Sequence, residues 1–314
     1  MGWRSGRQQS MVMPAKPIKL SFAANTRKVK KILCLLPALA IYWACNNNPS
    51  VQTVESNGTP IACNRYGTGD TTLLFVHGWC ISKEYWQSQI DFFSPNYTVV
   101  TIDLPGFGQS GKINNSWSFK DYTDNVKAVI GQLGLKNVIV IGHSMSGDIL
   151  LDLSNRYPQL ITGIVGIDNL HEPAAPLTEQ GRADTEAFFS VFASRFDSVV
   201  TATMEQYLFH PSTDTAIKQR VRQSITNTDS LVAVQVLKSF TFFAADEQVR
   251  MQKLNHKLYL VNSDVMPVKM DSLNKYCSKG AAVTYVHNTG HYPMIEKPGE
   301  FNKALQEVIH RLGQ

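Results

Sequence analysis

The sequence has few cysteines, and their spacing matches no common metal site. Its 314 residues include five cysteines, of which Cys34 lies in a basic N-terminal segment. Cys63, Cys80 and Cys277 are far apart in the chain, whereas zinc ligands come in closely spaced pairs. We therefore expect no metal at these residues. If Cys45, just after that segment, is modified, these three thiols remain, and an odd number favours free, buried thiols over a disulfide framework. A single disulfide would still be compatible with export.

Other sequence signatures are also absent. The chain has no internal repeat, no low-complexity run, no glycine-rich phosphate loop and no dinucleotide-binding fingerprint. The last two motifs bind phosphate-containing cofactors, and no metal site is indicated either, so we expect an activity that needs no cofactor.

Acidic residues are missing from the first 44 positions, which carry eight of the 30 lysines and arginines. The remaining 270 residues hold 22 basic residues (30 less 8) against 25 acidic ones, a formal charge of −3. The basic isoelectric point of about 8.8 therefore comes from the N-terminal segment. It is no argument for binding nucleic acid.

The end of this segment resembles a secretory signal. The basic cluster Arg27–Lys31 precedes an apolar run, Ile32–Ala44, that is too short for a comfortable membrane span. Cys45 follows directly, as the lipidated cysteine does in bacterial lipoprotein signals, although Tyr42 departs from the usual motif.

These features predict a signal segment over residues 1–44, lipidation of Cys45 and a polar tether over 45–50. The protein would then be exported and anchored to a membrane, facing the bacterial periplasm or outer membrane. A plain signal peptide or an uncleaved anchor is the alternative.

A serine lies at a sharp turn between a strand pattern and a helix pattern. Val138–Ile141 is wholly β-branched and apolar, which predicts a strand buried on both faces. Helical spacing begins shortly after Gly147. The intervening Gly142–Gly147 (GHSMSG) matches the nucleophile elbow G-x-S-x-G, except that Ser146 replaces the second glycine. This turn would lift the hydroxyl of Ser144 out of the sheet, next to a helix N-terminus that stabilises negative charge.

Strand and helix patterns alternate along the rest of the chain. Asn57-Gly58 between two alternating runs predicts a β-hairpin, which is followed by several apolar strands. These predicted strands are 72–76, 97–102, 138–141, 160–167, 257–261 and 281–286. Such alternation predicts an α/β domain over residues 51–314, with a mostly parallel sheet and helices on both faces. Residues 171–249 contain helix patterns without a strand and are rich in aromatics, which predicts an inserted helical lid.

Residues capable of chemistry follow directly on the ends of predicted strands. In a parallel sheet these ends meet at one edge, so Trp79, Ser144, Asp264 and His291 should converge there. The backbone N–H groups of Trp79 and Met145 could then stabilise an oxyanion beside Ser144.

Five motifs in this order resemble the α/β hydrolase fold family, in a lidded, esterase-like form. They are His77-Gly78, Asp103–Ser110 (DLPGFGQS), Gly142–Gly147, Asp264 shortly before Pro267, and Gly290–Pro293 (GHYP). The resemblance implies that Ser144 is the nucleophile and His291 the general base and then acid. It implies that Asp264 is the carboxylate that orients His291.

Other residues could take some of these roles. Asp168 follows the preceding strand and is the alternative to Asp264, since some members of the fold draw the carboxylate from that strand. His287 is the alternative to His291. His143 is interpreted as structural, because it points away from the expected position of a base.

These features together predict a serine hydrolase that cleaves carboxylic esters of small or medium apolar substrates through an acyl-enzyme. A serine nucleophile argues against the dehalogenases and epoxide hydrolases of this fold, which need a carboxylate there. Lactone, thioester, amide or C–C hydrolysis is the catalytic alternative. A non-catalytic lipoprotein that binds a small ligand is the alternative from another class. The expected partners are a small-molecule substrate and a membrane, and the oligomeric state is not predicted.

Overall fold

The computed structural model of the chain describes residues 50–112 and 117–313. The predictions for the signal segment and for Cys45 lie outside these residues. Among the described helices, none is long and apolar enough to cross a membrane. Cys63, Cys80 and Cys277 are buried and free.

The described strands form a single eight-stranded sheet. They are β1 (Ser50–Ser56), β2 (Thr59–Tyr66), β3 (Thr72–Val76), β4 (Thr98–Ile102), β5 (Val138–His143), β6 (Gly163–Ile167), β7 (Leu258–Ser263) and β8 (Ala281–Val286). Their order across the sheet is β1-β2-β4-β3-β5-β6-β7-β8. β1 and β2 pair antiparallel, as does β2 with β4, and all other pairs are parallel. The predicted fold class is confirmed.

Local sequence accounts for these strands. Asn57 and Gly58 both have positive φ angles, 51° and 76°, which is what the predicted tight hairpin turn requires. The central strands β3 to β7 are buried along their whole length, and their largely apolar sequences match burial on both faces. β8 lies at the edge of the sheet and is only partly buried.

Helices cover the sheet in two groups. The helices are α1 (Gln87–Phe93), α2 (Phe119–Gln132), α3 (Ser146–Arg156), α4 (Glu179–Ser194), α5 (Phe196–Tyr207), α6 (Thr215–Thr226), α7 (Ser230–Ala244), α8 (Glu247–Gln252), α9 (Met270–Tyr276), α10 (Pro293–Glu296) and α11 (Pro298–Leu312). One group contains α2, α3 and α8, and the other contains α1, α10 and α11.

Every regular element between β6 and β7 is a helix, as the sequence predicts. This connection contains α4 to α8, and α4 packs mainly on α7. Several large apolar side chains of this connection are exposed, among them Phe188, Val191 and Tyr207. This segment is therefore less completely packed than the central strands.

Candidate active site

The predicted sharp turn between a strand and a helix is present at Ser144. β5 ends at His143, α3 begins at Ser146, and Ser144 between them has a φ of 55°. A left-handed conformation is unfavourable for a residue with a Cβ, and it persists only where its surroundings hold it. Here the N–H of Ser144 donates to the carbonyl of Ile167 at 3.0 Å, and the N–H of Gly147 donates to the carbonyl of Ser144 at 2.9 Å.

The structure explains why a serine can replace the second glycine of the motif. The Ser146 hydroxyl donates to the backbone carbonyl of His77 at 2.6 Å, which ties the elbow to the end of β3. The small residue that the turn requires is Gly147 instead. A Cβ at this position would lie 2.8 Å from the amide group of Asn169.

His291 connects the serine to a buried carboxylate. Its Nε2 lies 2.9 Å from Ser144 Oγ, and its Nδ1 lies 2.6 Å from Asp168 Oδ2. An ionised carboxylate can only accept, so Nδ1–H donates to Asp168. In the neutral imidazole Nε2 then carries the lone pair, and the serine hydroxyl donates to it. This is the arrangement in which histidine can remove the proton of the serine.

The environment of Asp168 keeps the carboxyl ionised. The residue is only 2% exposed, and burial by itself would raise its pKa. Interactions with His171 and His291 outweigh burial and lower the pKa of Asp168 below its ordinary value. The N–H of Ser263 also donates to Oδ1, at 2.8 Å. His171 Nε2 lies 3.6 Å from the same oxygen, beyond hydrogen-bond length but close enough for attraction when protonated.

The predicted pairing of Asp264 with His291 is wrong. Asp264 follows β7 and its side chain is 36% exposed. Its carboxylate accepts hydrogen bonds from His287 Nδ1–H at 2.9 Å and from the N–H of Asn288 at 3.0 Å. The alternative carboxylate, Asp168, contacts His291 instead. His287, the alternative histidine, is 66% exposed and pairs with Asp264 rather than with the serine.

The path of the loop after β8 accounts for this difference. Asn288 has a φ of 56°, and the N–H of His291 donates to the carbonyl of Leu208 at 2.9 Å. Gly290 packs so closely against this segment that a Cβ would lie 2.5 Å from the same carbonyl. The loop is thus held against residues 208–210, and it carries His291 past β7 to the end of β6. The sequence contains no local signal for this contact.

The two residues predicted for the oxyanion hole lie beside the serine. Trp79 and Met145 line the same cavity as Ser144 and His291. The ring of His77 shapes the loop that contains Trp79. Its Nε2 accepts from the N–H of Leu104 at 2.9 Å, so its Nδ1–H donates to the carbonyl of Gly78 at 2.7 Å. The role of the two N–H groups stays a prediction.

A cavity of about 310 Å³ opens next to the serine. The helical connection supplies most of its wall, and nearly all of these side chains are apolar. They are Phe188, Phe192, Val199, Val200, Tyr207, Leu208, Leu237 and Phe240. Of the described residues that line the cavity, none is an aspartate, glutamate, lysine or arginine. The cavity is therefore suited to an uncharged, apolar group.

Comparison with known proteins identifies the family. Residues 71–298 match the family model described as the alpha/beta hydrolase fold. This match covers well over half of the chain, which therefore belongs to the α/β hydrolase fold family, as the five motifs predict.

Individual relatives include esterases and haloperoxidases. A putative esterase/lipase of Haemophilus influenzae is 23% identical, over 76% of this chain and 83% of that protein. A non-heme haloperoxidase of Rhodococcus erythropolis is 30% identical over 49% of this chain. Several such matches are partial: the chain spans 55% of that haloperoxidase, and 30% and 38% of two further curated relatives.

Solved structures show the same fold. An esterase from Thermogutta terrifontis superposes with a TM-score of 0.70 at 17% identity, covering 84% of this chain and 99% of that one. A bromoperoxidase from Bacillus anthracis gives a TM-score of 0.69 at 20% identity, covering 83% and 100%.

Proposed function

We propose that the protein is a serine hydrolase that cleaves carboxylic esters through an acyl-enzyme. Ser144 is the nucleophile, His291 the general base and then acid, and Asp168 the carboxylate. The observation that carries this proposal is the continuous chain of hydrogen bonds from Ser144 through His291 to Asp168. A serine hydroxyl is a weak nucleophile until such a base accepts its proton.

In the first half of the reaction Ser144 Oγ attacks the ester carbonyl while its proton passes to His291 Nε2. The imidazolium that forms is stabilised by the ionised Asp168 carboxylate on Nδ1. The negative charge on the carbonyl oxygen is stabilised by the N–H groups of Trp79 and Met145, together with the N-terminus of α3. His291 then protonates the leaving alcohol.

In the second half a water molecule takes the place of the alcohol. His291 accepts a proton from this water, which attacks the acyl carbonyl and releases the acid, and the proton returns to Ser144. His291 thus serves as both base and acid in each half of the reaction. The apolar cavity beside Ser144 supports an uncharged acyl group of small or medium size as the substrate.

Esters are favoured over lactones, thioesters, amides and C–C bonds because esterases recur among the relatives of similar length. The helices between β6 and β7 act as a lid in this proposal, since they supply most of the wall of the cavity. Their exposed aromatic side chains support the same role.

The proposed location is the bacterial envelope. It rests on the sequence around Cys45, where a basic cluster and a short apolar run precede a cysteine. Export and a lipid anchor would place the active site beside a membrane.

Fluorophosphonate labelling of the full-length protein tests the mechanism. We expect one adduct, mapped by mass spectrometry to Ser144, and its loss in Ser144→Ala and His291→Ala. Absence of the label from a folded protein would refute the hydrolase mechanism and favour a binding protein.

If Ser144 is labelled, turnover of p-nitrophenyl esters of increasing acyl length defines the acyl group. In fractionated cells, the label should move from the membrane to the soluble fraction in Cys45→Ala.

A further inference from the structure

His143, which precedes the nucleophile, lies between two other parts of the site. It is 1% exposed, and its Nε2 lies 2.7 Å from the backbone carbonyl of His291. A carbonyl only accepts hydrogen bonds, so Nε2 carries the proton and donates it. The two imidazole rings are 4.7 Å apart between their centroids. His143 therefore holds the backbone of the residue whose side chain faces Ser144.

The other edge of the His143 ring contacts the loop after β3. A Cβ on Gly78 would lie 2.6 Å from His143 Nδ1 and 2.9 Å from Ser144 Cβ, so only glycine leaves space for the ring. Gly78 directly precedes Trp79, whose N–H is one of the proposed oxyanion donors. Nδ1 is buried and has no hydrogen-bond partner among the described atoms. The ring is thus oriented by its contact with the His291 carbonyl.

The ring is electrically neutral at physiological pH. Burial, together with the nearby His291, lowers the pKa of His143 to about 3. Neutrality matters here because His291 becomes an imidazolium during the reaction, and a second positive charge next to it would oppose its formation.

The peptide groups of His291 are held from two sides. Its N–H donates to Leu208 in the helical connection, while its carbonyl accepts from His143 at the end of β5. The first contact holds the loop after β8 against the helical connection. The second ties the same residue to the strand that carries Ser144.

We propose that His143 is a positioning residue that sets the distance between His291 Nε2 and Ser144 Oγ through its hydrogen bond to the His291 carbonyl. This inference rests on the proposed function. A positional error of about 1 Å in such a pair can lower the rate about a hundredfold. The role requires a neutral N–H donor at the position of Nε2.

Two variants that differ by one methylene group provide a matched test. In His143→Gln the amide N–H takes the place of Nε2, whereas in His143→Asn it is too short to reach the carbonyl. We expect the rate of fluorophosphonate labelling and kcat to fall by about tenfold to a hundredfold in the Asn variant, with little change in KM. The Gln variant should recover most of this loss.

Thermal unfolding of both variants separates positioning from folding. The inference is supported if the two variants have similar Tm values and the Gln variant is labelled faster than the Asn variant. It is refuted if they are labelled at the same rate, or if their rates simply follow their stabilities. His143→Leu, which has no donor, extends the test and should behave like the Asn variant. Labelling of the wild type on Ser144 is the control: if that fails, the proposed function is wrong, whatever the variants do.

Discussion

The ends of β6 and β7 carry the same residue type in very different environments. Asp168 follows β6, is almost completely buried and accepts from His291 at 2.6 Å. Asp264 follows β7, is partly exposed and accepts from His287 at 2.9 Å. Each aspartate thus pairs with a histidine from the loop after β8. One pair faces the serine and the other faces solvent, so strand-end position alone does not decide which aspartate pairs with His291.

The difference comes from the neighbours of each carboxylate. Around Asp168 the backbone N–H of Ser263 and the ring of His171 supply additional partners. Asp264 has the N–H of Asn288 as its second partner and retains contact with water. A charge exposed to water interacts weakly with its partner, whereas a buried and hydrogen-bonded charge can orient a catalytic base.

The largest expected difference between the two aspartates is in activity. Asp168→Asn should lower kcat by about 10³- to 10⁴-fold, because the amide no longer holds His291 in the required tautomer or stabilises the imidazolium. Asp264→Asn, the matched control, should stay within about twofold of the wild type, as expected for a surface substitution. Steady-state kinetics on one ester substrate measures both. A large loss in Asp264→Asn with little loss in Asp168→Asn would reverse the assignment.

A smaller difference is expected in stability, and it depends on pH. The folded-state pKa of Asp168 lies below its unfolded value, so the folded protein binds fewer protons than the unfolded chain. Its contribution is therefore fully present above the unfolded pKa of about 4 and is lost as the pH falls. Asp168→Asn should lower the free energy of unfolding by about 1–3 kcal/mol at pH 7.

Urea unfolding at several pH values checks this expectation. The gap between the wild type and Asp168→Asn should narrow as the pH falls below about 4. Asp264→Asn should cost less than about 0.5 kcal/mol at any pH, because solvent screens the exposed pair. A gap for Asp168→Asn that is constant with pH would mean that its ionisation does not contribute to folding.

The smallest expected difference concerns the accessory histidines. His171→Asn should lower kcat by about two- to fivefold, because His171 Nε2 lies 3.6 Å from the carboxylate that orients His291. His287→Asn removes the partner of Asp264 and should leave kcat unchanged. Equal effects of the two substitutions would show that His171 has no special influence on Asp168.

Much of the fold could be predicted from local sequence. The Asn57-Gly58 turn, the largely apolar central strands and the long helical connection all depend on neighbouring residues, and all are observed. The turn at Ser144 could also be predicted from local sequence, because a strand, a short turn with small residues and a helix follow one another within a few positions. Strand ends differ by up to three residues: β6, predicted from Leu160, begins at Gly163, and β7, predicted to end at Val261, continues to Ser263.

The partner of His291 could not be predicted in the same way. Asp168 and Asp264 each follow an apolar strand, and nothing near either residue in the sequence separates them. The choice depends on where the loop after β8 lies, and that is set by contacts of Gly290 and His291 with Leu208, about eighty residues earlier. The bond from His143 to the His291 carbonyl likewise joins residues 148 positions apart.

The sequence by itself determined the sheet, the strand–turn–helix at Ser144, the placement of Ser144 after β5 and of His291 after β8, and the family to which the chain belongs. Periodicity and turn chemistry act over a few residues, so they are legible without a structure. Only the tertiary structure decided which aspartate meets His291, why Ser146 is accepted in the elbow and how His143 holds the histidine loop. Each of these depends on a distance between segments far apart in the chain, and such distances are set by packing rather than by local pattern.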